Sequence, residues 1–306
     1  MNRHFKKYYF YFLARIFDSV GLYEKSVPCY AETIRFRSFF WDSQTRYAKA
    51  ITKNSKKMTL HIQGGIGDFL QHLPFILKNK STDYIVATHY LDAKIFFEGL
   101  GVKVKQYYFY SNRDEYRVIR EKLKKLKYAY VCPRDLFFKQ SPFKSEAHSN
   151  PKKQMTIGIH MGSSQLGVDK ALSRAFVKDL LKELIPLHYK IILFGTREEI
   201  KPLNLASNKN LTMPISKKIA DSLSLVHRCD FFIGSDSVFK TMAAMLKIPT
   251  IVLHEDSPNY FRDRVFITPY LNSKVMFVYK YKKLQGLEIK KAIQYALNIC
   301  QTRFKK

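Results

Sequence analysis

Acidic residues are scarce in this chain. Its 306 residues include 25 Asp and Glu against 53 Lys and Arg, which gives a formal net charge of +28. Residues 1–150 hold 27 basic and 13 acidic residues, and residues 151–306 hold 26 and 12, so each half carries +14. A charge excess spread in this way attracts nucleic acid, anionic lipid headgroups or phosphorylated glycolipids. A lysine-rich composition with solvated side chains would give the same count without any such partner.

Cysteine is also scarce, with four residues in the whole chain and no CxxC pair. This disfavours both a disulfide framework and a zinc site, and it favours a reducing compartment. Hydrophobic runs are short: Arg15 and Asp18 interrupt the apolar N-terminal segment, and no segment reaches 18 apolar residues. We therefore expect neither a signal peptide nor a membrane span, but a cytoplasmic protein that is soluble or peripheral at the membrane.

Several catalytic signatures are missing as well. The sequence contains no HExxH, GxSxG or GxxxxGK[ST] motif and no DxD metal motif. It therefore predicts no metallopeptidase, serine hydrolase or P-loop site, and no bound metal.

The first 55 residues have helical periodicity. Apolar residues recur at i, i+3, i+4 and i+7 over residues 5–20, and Gly21 is a suitable helix end. Two further helices are expected at about 24–36 and 40–51. We predict a helical extension over residues 1–55, with an amphipathic first helix whose aromatic face is covered by protein or touches a membrane.

From residue 58 the pattern changes to alternating strands and helices, which indicates α/β domains with parallel sheets. The expected strands are 59–63, 84–88, 102–109, 128–132, 156–161, 190–195, 211–214, 230–235 and 250–254. The expected helices are 68–79, 91–100, 113–127, about 173–187, 217–228, 237–247 and 286–304. The polar, proline-containing segment 139–154 breaks the alternation and is predicted to link two Rossmann-like domains, 56–145 and 152–306.

A glycine-rich turn follows the first strand of the series. It contains Gly64, Gly65 and Gly67 and ends at Asp68. Glycines there let the backbone approach a ligand closely. The second strand ends at His89 without an acidic residue, which disfavours a dinucleotide site. Asp68 is either a functional carboxylate or an ordinary acid in the first turn of a helix, and the spacing does not decide between them.

Three more motifs lie in the second half, each at the end of a predicted strand. The first continues from His160 into a small-residue loop with Ser163 and Ser164, followed by Lys170. The second is Gly195 with two acids, Glu198 and Glu199, of which neither is preferred. The third places Asp236 and Ser237 at the start of a helix, where free backbone N–H groups and the helix dipole favour a diphosphate.

Taken in order, these four motifs resemble glycosyltransferase family 9, the lipopolysaccharide heptosyltransferases, over roughly residues 58–255. The resemblance implies the GT-B fold, in which two Rossmann-like domains face a central cleft. It implies Asp68 as general base and Lys170 as a contact to the donor phosphates, with an acid near the nucleoside. The chain departs from the family pattern at four positions: Leu172 and Ser173 replace Trp and Pro, Val238 replaces a glycine, and Thr241 replaces a histidine.

The implied activity is an inverting, metal-independent glycosyl transfer without a cofactor. The donor would be a nucleoside-diphosphate sugar such as ADP-heptose, and the acceptor an anionic lipopolysaccharide-type glycan at the cytoplasmic membrane face. If Asp68 were not the base, His72 or His160 would be the next candidates. Two alternatives stay open: a nucleotide-sugar epimerase or hydrolase of the same fold, and a basic nucleic-acid-binding protein. The second is disfavoured because the aromatic residues are spread through predicted core elements.

Overall fold

A computed structural model describes residues 3–36, 42–54, 58–126, 129–131, 154–162, 171–215, 219–246, 248–254 and 276–280, together with positions 291, 294 and 298. The chain divides into two compact units, residues 1–140 and residues 141–306. Each unit contains one parallel β-sheet. The predicted α/β class with parallel sheets is confirmed.

The first unit opens with three helices: α1 (Arg3–Ser19), α2 (Tyr23–Phe36) and α3 (Ser43–Asn54). Gly21 lies between α1 and α2 with φ of +75°, a value that glycine adopts without strain, so the predicted helix end is correct. In the described residues no helix has both the length and the hydropathy needed to cross a bilayer.

The first sheet contains β1 (Thr59–Gln63), β2 (Asp83–Thr88), β3 (Val104–Phe109) and β4 (Ala129–Val131), in the order β3-β2-β1-β4. Three helices connect the strands: α4 (Ile66–Lys78), α5 (Ala93–Gly99) and α6 (Arg113–Lys124). The helix predicted at residue 68 begins two residues earlier, so Gly67 and Asp68 lie inside its first turn.

The three N-terminal helices share a hydrophobic core with this sheet. Tyr11, Ala14 and Tyr30 from the helices belong to the same buried cluster as Leu60 of β1 and Phe69 of α4. A polar network ties the helices together, because Arg46 bonds to Asp18 and Asp42, and Tyr11 and Tyr30 each donate to one of those carboxylates. The extension is therefore part of the first compact unit.

The second sheet has six parallel strands in the order β10-β9-β8-β5-β6-β7. They are β5 (Thr156–His160), β6 (Lys190–Phe194), β7 (Leu211–Thr212), β8 (Phe231–Gly234), β9 (Thr250–His254) and β10 (Met276–Lys280). The helices of this unit are α7 (Arg174–Leu184), α8 (Arg197–Ile200), α9 (Ile219–Ser224) and α10 (Val238–Met245).

Some predicted boundaries need correction. β7 is shorter than the predicted strand 211–214, which reached a proline that cannot donate to a strand ladder. β10 and the short α8 had no counterpart among the predicted elements. The predicted linker 139–154 lies outside the described residues except for residue 154, and the helix predicted over 286–304 is described only at positions 291, 294 and 298, which are helical.

The two faces of α1 give a stability prediction. Ala14 is fully buried and Phe12 is 55% exposed on the same helix. Ala14→Gln forces a larger polar group into the core, and we expect it to lower the free energy of unfolding by about 2–3 kcal/mol. Phe12→Gln should change it by less than about 0.5 kcal/mol. Urea unfolding of both variants measures this, and equal losses would mean that both faces of α1 are buried.

Candidate active site

In both sheets the order of the strands reverses at a central strand. In the first sheet, β1 lies between β2 and β4; in the second, β5 lies between β6 and β8. Ligands of open α/β sheets bind beyond the carboxyl ends of the strands at such a reversal. The turn Gly64–Asp68 follows β1, and the turn that ends at Ser237 follows β8. Each unit therefore places one predicted motif at the edge of its sheet where ligands bind.

The carboxylate of Asp68 is held by its own turn. The backbone N–H of Gly65 donates to Asp68 Oδ2 over 3.0 Å. Gly64 has φ of +115°, and a Cβ built there would lie 2.1 Å from Asp68 Oδ2. Only glycine fits at this position, both for its backbone and for the space beside it. Asp68 is thus a helix-capping carboxylate, as one sequence interpretation expected, and its position is fixed at the carboxyl end of β1.

His89 is a second polar group beside this turn, and sequence analysis did not select it. It follows β2, and a Cβ added to Gly65 would lie 2.8 Å from His89 Nε2. Its Nδ1 lies 3.5 Å from the hydroxyl oxygen of Tyr110. Burial lowers the pKa of His89, and the Asp68 charge acts in the opposite direction. In the sequence, the feature that could have indicated His89 is a histidine at the end of the strand next to β1.

Two other histidines of the first unit lie beneath this edge. His72 is almost fully buried, and its Nδ1 lies 2.7 Å from the backbone oxygen of Asp68, one helical turn back. His61 Nε2 lies 3.1 Å from Gln63 Nε2, and Gln63 Oε1 accepts from the hydroxyl of Tyr116 over 2.8 Å. Burial lowers the pKa of His61 to about 4. Burial and the bond to the backbone give His72 a structural role in α4, so His89 replaces it as the second candidate base.

In the second unit, His160 and Ser237 join the ends of β5 and β8. His160 Nδ1 and Ser237 Oγ lie 2.9 Å apart. The His160 ring stacks on Phe239 with a centroid distance of 4.3 Å, and burial lowers its pKa to about 3. His160 is therefore neutral at physiological pH. Ser235 also donates to the carbonyl of Gly162, which fixes the turn before α10 against the loop after β5.

Asp236 is paired with a lysine that sequence analysis did not select. Lys240 is only 1% exposed and forms an ion pair with Asp236, whose side chain is 13% exposed. A fully buried ammonium group requires such a partner, because desolvation of an unpaired charge costs several kcal/mol. In the sequence, the feature that could have indicated this pair is the i, i+4 spacing between an acid just before an otherwise apolar helix and a lysine within it.

The two acids after β6 differ in position. Glu198 is exposed, whereas Glu199 is partly buried and accepts from the backbone N–H of Thr196 over 2.7 Å. A Cβ at Gly162 would lie 1.8 Å from Glu199 Oε1, and one at Gly195 would lie 3.0 Å from Oε2. Burial raises the pKa of Glu199. The structure therefore brings Glu199, and not Glu198, beside the loop that follows β5.

Of the remaining positions named from the sequence, three lie outside the described residues and two form local hydrogen bonds. Ser163, Ser164 and Lys170 lie outside the described residues. Ser173, where the family has proline, caps α7 by accepting from the backbone N–H of Phe176 over 3.2 Å. Thr241, where the family has histidine, donates to the backbone oxygen of Ser237 over 3.3 Å. Within the described ranges no three His, Cys, Asp or Glu side chains are grouped as a metal site requires.

The buried histidines predict a specific pH dependence of stability. The folded state keeps His61 and His160 neutral, with pKa values of about 4 and about 3 against an ordinary 6.5. The contribution of each neutral histidine to the free energy of unfolding is complete above pH 6.5 and is lost as the pH falls below that value. Between pH 7 and pH 5 each histidine should reduce the free energy of unfolding by about 2 kcal/mol.

Urea unfolding of His61→Gln at both pH values tests this prediction. The stability difference between pH 7 and pH 5 should shrink by about 2 kcal/mol relative to the unmodified protein, whatever the variant's stability at pH 7. The exposed His227 is the control, and His227→Gln should leave the difference unchanged. An unchanged difference in His61→Gln would contradict the burial argument.

Comparison with known proteins gives similar solved structures but no family model and no curated protein. The E. coli ADP-heptose lipopolysaccharide heptosyltransferase II matches at 15% identity and a TM-score of 0.49, over 80% of this chain and 100% of that one. The E. coli heptosyltransferase WaaC with ADP matches at 12% and 0.48, over 79% and 99%. A glycosyltransferase family 9 protein from Veillonella parvula matches at 13% and 0.44, over 79% and 97%.

Proposed function

We propose that this protein is an inverting glycosyltransferase that moves a sugar from a nucleoside-diphosphate sugar to an acceptor hydroxyl, without a metal ion. The observation that carries the proposal is the position of Asp68, which a glycine turn fixes at the carboxyl end of β1 beside His89. The motif resemblance then gives this carboxylate its role, and the second unit supplies a separate site for an anionic group.

On the acceptor side, Asp68 acts as general base. The acceptor oxygen forms a bond to the anomeric carbon of the donor while its proton passes to the Asp68 carboxylate. The bond from that carbon to the diphosphate oxygen breaks, and the nucleoside diphosphate leaves with the electron pair. A single displacement of this kind inverts the configuration at the anomeric carbon. General-base assistance is worth roughly 10² to 10⁴ in rate.

His89 supports this step as a neutral hydrogen-bonding group. Burial lowers its pKa, so the imidazole is uncharged near neutral pH and can both donate and accept. Its proximity to Gly65 and Tyr110 places it beside the Asp68 turn. We assign it to orienting the acceptor sugar rather than to removing the proton, since the carboxylate is the stronger candidate by position.

On the donor side, α10 receives the diphosphate. Its first backbone N–H groups carry partial positive charge, and Ser237 stands at its N-terminal cap. A bare carboxylate at Asp236 would repel the phosphates, but the buried Lys240 offsets that charge. Glu199 is the acid assigned to the nucleoside, while Ser163, Ser164 and Lys170 keep the donor-loop roles that the motif resemblance implies.

The net charge and the motif resemblance indicate which donor and which acceptor to test first. ADP-heptose is the donor to test first, and a phosphorylated lipopolysaccharide-type glycan at the cytoplasmic membrane face is the acceptor to test first. The net charge of +28 favours such an anionic acceptor.

Asp68→Asn separates the catalytic role of Asp68 from its capping role. Asparagine keeps the shape and can still accept the Gly65 hydrogen bond, but it cannot take a proton. We expect a folded variant that binds donor normally and transfers sugar at least about 100-fold more slowly. Single-turnover assays with and without acceptor measure this, and release of free sugar without acceptor would indicate a hydrolase. Near-normal transfer by Asp68→Asn would refute the assignment, and His89→Asn then tests the alternative base.

The Asp236–Lys240 pair gives a prediction for donor binding. Lys240→Met removes the positive charge that offsets the Asp236 carboxylate beside the phosphates, so nucleoside-diphosphate affinity should fall at least about tenfold, which corresponds to about 1.4 kcal/mol. Adding Asp236→Asn removes the negative charge as well, and the double variant should recover most of that loss. Calorimetric titration with ADP measures both, alongside circular dichroism to confirm folding. If the double variant binds no better than Lys240→Met, the charge argument is wrong.

A further inference from the structure

Helix α1 has a second apolar face, whose side chains are largely exposed. Tyr11 and Ala14 are buried in the shared core, whereas the side chains on the other side of the helix are largely exposed. The exposed fractions are 69% for Phe5, 54% for Tyr9, 55% for Phe12 and 60% for Ile16. We call these four residues the outer stripe. Isolated exposed apolar residues are common, but a continuous exposed stripe with three aromatic rings marks an interaction surface.

Positive charge lies on both sides of the outer stripe. At 100° per residue, its four members fall within about 60° of one another around the helix. Lys6 lies about 60° beyond one edge of the stripe and Arg15 about 60° beyond the other. The stripe runs for about 16 Å along the helix axis, at 1.5 Å per residue. The surface is thus an elongated apolar strip with one basic residue on each side.

Acidic charge is absent from this side of the helix. Asp18 is the single acid within α1, and it bonds to Arg46 of α3 over 3.2 Å and accepts from Tyr30 of α2. It therefore belongs to the side of α1 that packs on the other helices. An anionic surface approaching the outer stripe meets Lys6 and the exposed Arg15, whose Nη1 also donates to the Tyr11 hydroxyl over 3.0 Å. The carboxylate of Asp18 is already paired with the Arg46 guanidinium.

The charge of the chain decides between two possible partners. A second copy would bring another +28 against the first, so electrostatic repulsion opposes pairing of two outer stripes. An anionic lipid surface is attracted by the same charge, and each Lys or Arg close to it contributes about 1 kcal/mol. Aromatic side chains are well suited to the boundary between headgroups and acyl chains, and flanking lysine and arginine side chains reach the headgroups.

We propose that α1 binds anionic membrane surfaces through the outer stripe, with its axis parallel to the bilayer. Phe5, Phe12 and Ile16 enter the acyl boundary, and Lys6 and Arg15 contact lipid phosphates. This inference concerns binding and holds whether or not the chain transfers a sugar. It also assigns a function to the first 55 residues, which lie outside the part of the sequence that resembles a glycosyltransferase.

Vesicle co-sedimentation with the full chain tests the proposal. Vesicles of phosphatidylcholine alone are compared with vesicles containing about 30% phosphatidylglycerol, at an ionic strength of about 0.15 M. The unmodified protein should sediment with the anionic vesicles and remain in solution with the neutral ones. Phe12→Gln/Ile16→Gln should reduce the affinity for anionic vesicles at least about tenfold, and so should Lys6→Gln/Arg15→Gln.

A matched control removes the same amount of apolar surface elsewhere on the first unit. Leu91 is 80% exposed and Ile95 is 70% exposed, and Leu91→Gln/Ile95→Gln should bind anionic vesicles like the unmodified protein. Equal binding by the Phe12→Gln/Ile16→Gln variant and this control would overturn the proposal. So would a lack of binding by the unmodified protein, or a dimer in size-exclusion chromatography that only Phe12→Gln/Ile16→Gln dissociates, which would make the partner a second copy.

Discussion

Two carboxylates in this chain occupy space that only glycine leaves open. Asp68 lies over Gly64, and Glu199 lies over Gly162, each so closely that a single methyl group would collide with a carboxylate oxygen. These contacts bring each carboxylate against the backbone at the carboxyl edge of its sheet. The candidate site in each unit depends on them, because they set where the acid stands relative to the backbone N–H groups around it.

The distribution of charge differs between the protein surface and the candidate sites. At the surface, positive charge is spread over both halves of the chain. At the candidate sites it is balanced or removed: Lys240 is paired with Asp236, and burial keeps His160 neutral. The paired or neutral groups next to α10 leave little net charge at the start of that helix, while the outer surface attracts anionic partners over longer distances.

The sequence predicted the strands well where a short apolar run ended at a glycine or a polar residue, as at β1, β5, β8 and β9. It also predicted which turns carry polar groups, because a parallel sheet places the carboxyl ends of its strands at one edge. It could not separate Glu198 from Glu199, since adjacent positions on one short helix differ only in what they pack against. His89 and Lys240 were missed for a related reason: a strand-end position and an i, i+4 spacing do not by themselves show the close approach to Gly65 or the ion pair with Asp236. β10 was missed because a five-residue apolar run between lysines gives a weak strand signal.

The shared core of the first unit has a consequence for the order in which the chain folds during synthesis. Helices α1–α3 are synthesised before the first sheet, but their buried residues Tyr11 and Tyr30 pack in one cluster with Phe97 and Val102, which are made later. The helices therefore wait for β1, β2 and α5 before their core closes. Until then α1–α3 can pack only on one another, and their sheet-facing residues expose apolar surface that the rest of the first unit covers in the folded state.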